Sequence, residues 1–117
     1  MINKNKIIVT GGSGRFAQIL KKIKSKYKFV YPNKTQLDIT NINSIKKYLK
    51  KNKSKSVLHL AGLSRPMNEH EKNIQKSINL NIIGTANLVS ICSELKIKLI
   101  YFSTSYVYPG KRGDYNE

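Results

Sequence analysis

Gly11, Gly14 and Ala17 stand three residues apart, directly behind the β-favouring run Ile7-Ile8-Val9-Thr10. Small residues at that spacing suit the handling of an anion. Gly11 permits a tight turn out of a strand, Gly14 lets backbone come close to a ligand, and the N–H groups that open the next helix point at negative charge. The anion that fits such a turn is a pyrophosphate, with Ala17 placed where helix and sheet pack closely. Further along, Asp38 and Ile39 put a carboxylate acceptor beside an apolar side chain. That pair suits the exocyclic amine and ring face of adenine, although Asp38 is equally a plain turn or capping residue. Ala61 and Gly62 close the apolar run Val57-Leu58-His59-Leu60. They either let backbone approach a ribose or nicotinamide or simply end a strand. Ser103, Thr104 and Ser105 follow Leu99-Ile100-Tyr101-Phe102, where hydroxyls make a turn or polarise a carbonyl or alcohol.

Other reactive side chains offer less. His59 lies inside an apolar run and reads as a structural histidine, and His70 sits in a polar stretch where no partner can be named. Cys92 is the sole cysteine, which excludes an internal disulfide and a multi-cysteine metal site. No metal ligands are assigned.

These residues require a sheet to carry them. Residues 2 to 10 form a predicted strand, Arg15 to about Lys24 a helix with Phe16, Ile19, Leu20 and Ile23 on one face, and Tyr27 to Tyr31 a second strand ended by Pro32. That is a β-α-β unit, the context in which a glycine turn carries meaning. Gln36 to Thr40 alternates like a short strand, and a helix from Asn41 or Asn43 follows through Ile45, Tyr48 and Leu49. A strand over Ser56 to Ala61, a long helix from about Lys72 to Leu95 interrupted by Asn81 and Gly84, and a strand at Leu99 to Phe102 complete the pattern. Asn81 precedes a glycine that another element or a ligand can approach. The expected fold is α/β, a Rossmann-like doubly wound parallel sheet, incomplete, with about five strands and helices on both faces.

At 117 residues the chain is one domain at most. It holds 22 Lys plus Arg against 6 Asp plus Glu, a formal net charge of +16, which invites comparison with nucleic-acid binders. Only three of those cations are Arg, however, and the lysines gather at Lys21–Lys28 and Lys46–Lys55, the ends of two predicted helices. Lysines there suit the helix dipole and lack the interleaved aromatics of a base-stacking surface, which argues against nucleic acid as a partner. No run reaches the roughly 18 apolar residues of a membrane span, and no secretory signal opens the chain, which makes the cytoplasm the expected compartment. After the second strand, Tyr31-Pro32-Asn33-Lys34 lacks the acid that bonds ribose hydroxyls in many dinucleotide folds. Lys34 either meets a 2′-phosphate or is a solvated loop lysine.

Five segments together resemble the extended short-chain dehydrogenase/reductase family of NAD-dependent nucleotide-sugar epimerases, dehydratases and reductases. They are Thr10–Ala17, Leu37–Thr40, Val57–Leu63, Asn81–Leu88 and Ser103–Tyr108, in matching order and spacing. Phe102 to Glu117 is most similar to the dTDP-4-dehydrorhamnose reductase branch, and Val57 to Leu63 is as similar to UDP-glucose 4-epimerases. The resemblance implies NAD or NADP as cofactor and a nucleotide sugar as substrate of the complete protein. It places Gly11, Gly14, Arg15 and Phe16 at the pyrophosphate and Asp38 and Ile39 at the adenine. Leu60, Ala61, Gly62 and Ser64 fall on the far ribose and nicotinamide side, with Asn81 bracing them, and Thr104 takes the place of the family's catalytic Ser or Thr.

Besides the missing acid after the second strand, two further departures matter. Ala17 replaces a third glycine, and no tyrosine in the sequence is followed four residues later by the lysine of the family's Tyr-x-x-x-Lys pair; Tyr108 has Arg112 there. The expectation is therefore that residues 1–117 are the N-terminal portion of an NAD(P)-binding Rossmann domain, without a substrate domain and inactive alone. Homodimer formation stays open. The alternatives are a non-catalytic dinucleotide-binding or regulatory module and, more remotely, a basic nucleic-acid-binding protein.

Overall fold

The computed structural model of the protein describes residues 3–64, 66–103, 109–111 and 113. Four parallel strands, β1 (Asn3–Thr10), β2 (Lys28–Val30), β3 (Ser54–His59) and β4 (Lys98–Tyr101), form one sheet in the order β2-β1-β3-β4. After β1 the chain turns to one side for β2 and then crosses to the other side for β3. The sheet's switch point thus lies between the carboxyl ends of β1 and β3, where open α/β sheets bind ligands.

The register sorts side chains to two faces. Ile8 stands beside Val30 on one side and Val57 on the other, and Val57 beside Leu99, so these residues share a face. Against that face pack Ile45 and Leu49 of α2 (Ile42–Asn52) and Leu88, Ile91 and Cys92 of the helix Gly84–Glu94, forming the core. Asn41 starts α2 by accepting the Asn43 and Ser44 N–H groups, and Lys53 ends it in the left-handed region at φ 45°. Burial of Cys92 pushes its thiol up to about 11, an inert core group.

The opposite face is covered by less. Here α1 (Arg15–Leu20) is shorter than the predicted helix to Lys24 and buries Ala17 alone; of the predicted apolar face Leu20 is half-buried, Phe16 and Ile19 are 51 and 63% exposed, and Ile23, past the helix end, is 57% exposed. The 3.6-residue period marks an amphipathic helix without saying what its apolar side meets. The Phe16 ring packs beside the Phe102 ring, at 5.2 Å between centroids.

Among the described residues the sheet has four strands rather than about five, because Gln36–Thr40 is a series of turns. Leu37 and Ile39 are buried at alternate positions, as in a strand. Short side chains, however, claim the backbone bonds that a strand neighbour needs. Asn33 Oδ1 accepts the Gln36 N–H, Ser44 Oγ accepts the Asp38 N–H, and Asp38 Oδ1 accepts both the N–H and the hydroxyl of Thr40.

The predicted long helix is divided as well. It comprises α3 (Glu69–Lys72), α4 (Ile74–Ile78), a π-helical turn at Asn79–Ile83 and α5 (Gly84–Glu94), with a break at Asn73. His70, placed by α3, has a partner after all: its Nδ1 lies 2.7 Å from Ser77 Oγ. No helix among the described residues is long and apolar enough to cross a membrane.

Candidate functional site

The switch point is built around Thr10, the last residue of β1. Its hydroxyl oxygen accepts the N–H groups of Leu60 and Ala61 at 3.1 and 3.2 Å and lies 2.7 Å from His59 Nδ1. With two donors already on that oxygen, the Thr10 proton goes to Nδ1. His59 is then neutral, with its Nε2 proton toward Thr85 Oγ1 at 2.9 Å. Burial favours the same state and lowers the His59 pKa to about 4. His59 is therefore a packed polar bolt between β1, β3 and α5, with the Tyr101 ring stacked on it at 5.5 Å.

The two glycines of the turn have different reasons. Gly11 sits at φ 73°, and a Cβ there would fall 2.6 Å from the backbone of Leu60 and Ala61. The fold itself needs glycine at that point. Gly14 begins α1 with an ordinary φ of −72°, and a Cβ there would meet only Gly11 O, at 3.3 Å. No side chain caps α1, so the backbone N–H groups of its first turn keep no side-chain acceptor.

Beside this turn opens a cavity of about 450 Å³, bordered by Gly11, Ala61, Asp38 and Ile39 on the one hand and by Lys21 and Tyr31 on the other. Four residues assigned from sequence thus meet at one hollow. Asp38 makes its turn through Oδ1 and also borders the cavity. Ile39 borders the hollow but is mostly core: it packs where a Cβ on Gly84 would stand 2.7 Å from its Cδ1, and Asn87 Nδ2 donates to its carbonyl.

Gly14, Arg15 and Phe16 stand at the start of α1 and do not border the cavity. Leu60 is half-buried beneath the turn, while Gly62 and Ser64 are exposed. Asn81, in the π-helical turn, holds the Leu63 backbone from both sides, accepting its N–H at 2.7 Å and donating to its carbonyl at 2.8 Å. Its Oδ1 also lies 3.0 Å from a Cβ position on Gly62. Thr104, with Ser105 to Tyr108, lies outside the described residues. Among the described residues no cluster of three or more His, Cys, Asp or Glu side chains could hold a metal ion.

Lys21 and Tyr31 escaped the sequence motifs. Lys21 Nζ reaches back to donate to Gly12 O at 2.7 Å and stands 4.7 Å from the Tyr31 ring centroid, while Gln18 donates to the same carbonyl at 3.0 Å. The available signal is spacing, since residue 21 lies two helical turns past Gly14 and returns to the same side of the helix. The Tyr31 hydroxyl is buried with no partner among the described residues, and burial raises its pKa.

An open parallel sheet with a glycine turn at its switch point defines a Rossmann-like α/β protein. Within that class, the chain belongs to the family described as the RmlD substrate binding domain, which matches residues 5–117. It is 32% identical over 107 residues to a GDP-L-colitose synthase of Yersinia pseudotuberculosis, covering 89% of this chain and 35% of that protein. Among solved structures it resembles the dTDP-4-dehydrorhamnose reductase of Bacillus anthracis in complex with NADP, with 27% identity and a TM-score of 0.83 over 96% of this chain and 40% of that one. The corresponding reductase of Clostridium acetobutylicum gives 26% identity and a TM-score of 0.80, covering 93% of this chain and 39% of that one. The chain therefore spans between a third and two fifths of the length of these relatives.

Proposed function

We propose that this chain is the dinucleotide-binding portion of a nucleotide-sugar reductase or epimerase and that it holds NAD or NADP at the switch point. One observation carries the reading. Gly14, at the head of a glycine turn beside the cavity, has a φ that any residue adopts, and the one atom a Cβ there would crowd is Gly11 O at 3.3 Å. A ligand that approaches the backbone there explains the residue type.

Gly11 and Ala61 would wall the cofactor, Asp38 and Ile39 would meet the adenine end, and Asn81 would fix the loop through Leu63. Gly14, Arg15 and Phe16 would present first-turn backbone to the pyrophosphate. When bound, the nicotinamide would exchange hydride with a carbon of the sugar. Thr104 would hydrogen-bond the oxygen on that carbon. Support for the substrate class comes from the relatives, which include a GDP-L-colitose synthase and dTDP-4-dehydrorhamnose reductases. None of the seven tyrosines has a lysine four residues later in this sequence. Residues 1–117 alone then lack a positioned acid/base, a contribution of about 10²- to 10⁴-fold, and the chain by itself should show no 4-keto-sugar reduction or 4-epimerisation.

Titration of the intrinsic fluorescence of NADH and NADPH with the wild-type chain and with Gly14→Asp tests the binding. The added carboxylate should weaken both by more than about tenfold, ~1.4 kcal/mol. Equal affinity of the two proteins would remove the pyrophosphate from Gly14.

A further inference from the structure

The β2 end of the cavity carries charge that a plain dinucleotide does not need. Lys21 ends α1 and folds back over the turn, its ammonium held between Gly12 O at 2.7 Å and the face of Tyr31 at 4.7 Å. Tyr31 in turn packs on Gly12, where a Cβ would stand 2.9 Å from Tyr31 Cβ. The lysine nitrogen bears three N–H donors, of which Gly12 O takes one. Lys34, exposed on the loop after β2, borders the same cavity. Neither lysine pairs with a carboxylate among the described residues. The cavity wall includes one acid, Asp38, whose Oδ1 is already engaged by Thr40.

Ordinary surface lysines are strongly hydrated and extend into water, and one resting on a ring face gains only about 0.5–1 kcal/mol. Lys21 instead gives up reach to stand above the strand end where a ribose-binding acid would otherwise sit, at residues 31 to 34, a stretch with no acid. Two ammonium groups without an opposing carboxylate repel each other less once a dianion lies between them. They also leave free ribose hydroxyls without an acceptor on that loop.

Resting on the dinucleotide reading above, we infer that Lys21 and Lys34 form the recognition site for the 2′-phosphate of NADP, with Lys21 the pre-positioned member. The chain then discriminates NADP from NAD through a helix-end lysine braced by Tyr31 and Gly12, and Lys34 adds a second, solvent-facing contact.

Calorimetric titration of the 117-residue chain with adenosine 2′,5′-bisphosphate, adenosine 3′,5′-bisphosphate and 5′-AMP tests this, using wild type, Lys21→Met, Lys21→Arg and Lys34→Met. Wild type should bind the 2′,5′-isomer at least about tenfold more tightly than 5′-AMP, ~1.4 kcal/mol. The 3′,5′-isomer should trail the 2′,5′-isomer, which separates a site from the general attraction of a +16 chain. Lys21→Met should erase most of the preference, weakening the 2′,5′-isomer by a larger factor than 5′-AMP. Lys21→Arg should keep the preference, and Lys34→Met should reduce it by less. Thermal unfolding of each variant keeps loss of fold apart from loss of recognition, and a Lys21→Met that fails to fold leaves the isomer comparison and the Lys34→Met series decisive. Equal binding of the two bisphosphates, or a preference that survives both methionine substitutions, would overturn the 2′-phosphate site alone. Absence of binding by all three nucleotides would overturn the dinucleotide reading, and this site with it.

Discussion

The two faces of the sheet are closed to different degrees. On the α2 and α5 side, Ile45, Leu49, Leu88 and Ile91 are buried, and Lys46 joins Glu94 at 2.6 Å across the two helices. On the α1 side the sheet residues Val9 and Leu58 are buried, but the helix above them contributes only Ala17. The cavity beside the glycine turn takes its walls from both regions. Ile39 and Ala61 belong to or pack on the core, whereas Gly12 and Lys21 belong to the thinly packed side, held by the Gln18 and Lys21 bonds to one carbonyl. The cavity thus joins a closely packed layer to a thinly packed one, and a ligand bound there should order the α1 wall most.

Leu88→Ala should break the closed side most severely, lowering the free energy of unfolding by about 2–5 kcal/mol in a urea titration. A loss below ~1 kcal/mol would mean that α5 is not part of the cohesive core. Acidification acts on the same side through His59. Its folded pKa of about 4 lies below the ordinary 6.5, so between those values the unfolded chain binds a proton that the folded chain refuses. Stability from this group is complete above about pH 6.5 and is lost as pH falls toward 4, at up to ~1.4 kcal/mol per pH unit. Unfolding curves at several pH values should therefore be steeper in pH for the wild type than for His59→Gln, and parallel slopes would remove His59 from the balance. Least of all should Ile19→Ala matter, changing stability by no more than about 0.5 kcal/mol because the side chain is exposed on α1. A large effect there would show that the α1 face is covered in solution.

Much of this architecture is legible in the sequence, and the parts that are not share a cause. Apolar runs that end in glycine or other small residues mark β1 and β3 within a residue or two, because burial on both faces and a tight exit are both written locally. Gln36–Thr40 mimics a strand because a loop pinned by Asn33, Asp38 and Ser44 can also bury every second residue. The apolar face of α1 is a true amphipathic pattern, but whether it meets a partner depends on distant chain. Within the candidate site, Gly11, Asp38, Ile39 and Ala61 come from motifs and do meet at one cavity. Lys21 carries no motif. Its position follows from the helix length and from where β2 delivers Tyr31, and composition registers it only as one cation among 22.

The π-helical turn at Asn79–Ile83 has a consequence for how this segment tolerates change of length. A π turn holds one residue more than the α-helix on either side, so α4 and α5 are out of phase by about 100°. Removing exposed Ile82 would let the helix run on with regular bonds and would look harmless by side-chain burial. The deletion would nevertheless swing α5 around its axis relative to α4. Asn81 could then not stay on Leu63 while Gly84 stayed against Ile39. The irregularity is a phase adjuster between the loop clasp and the core contact, and insertions or deletions should be tolerated in the turn at residues 66–68 long before they are tolerated here.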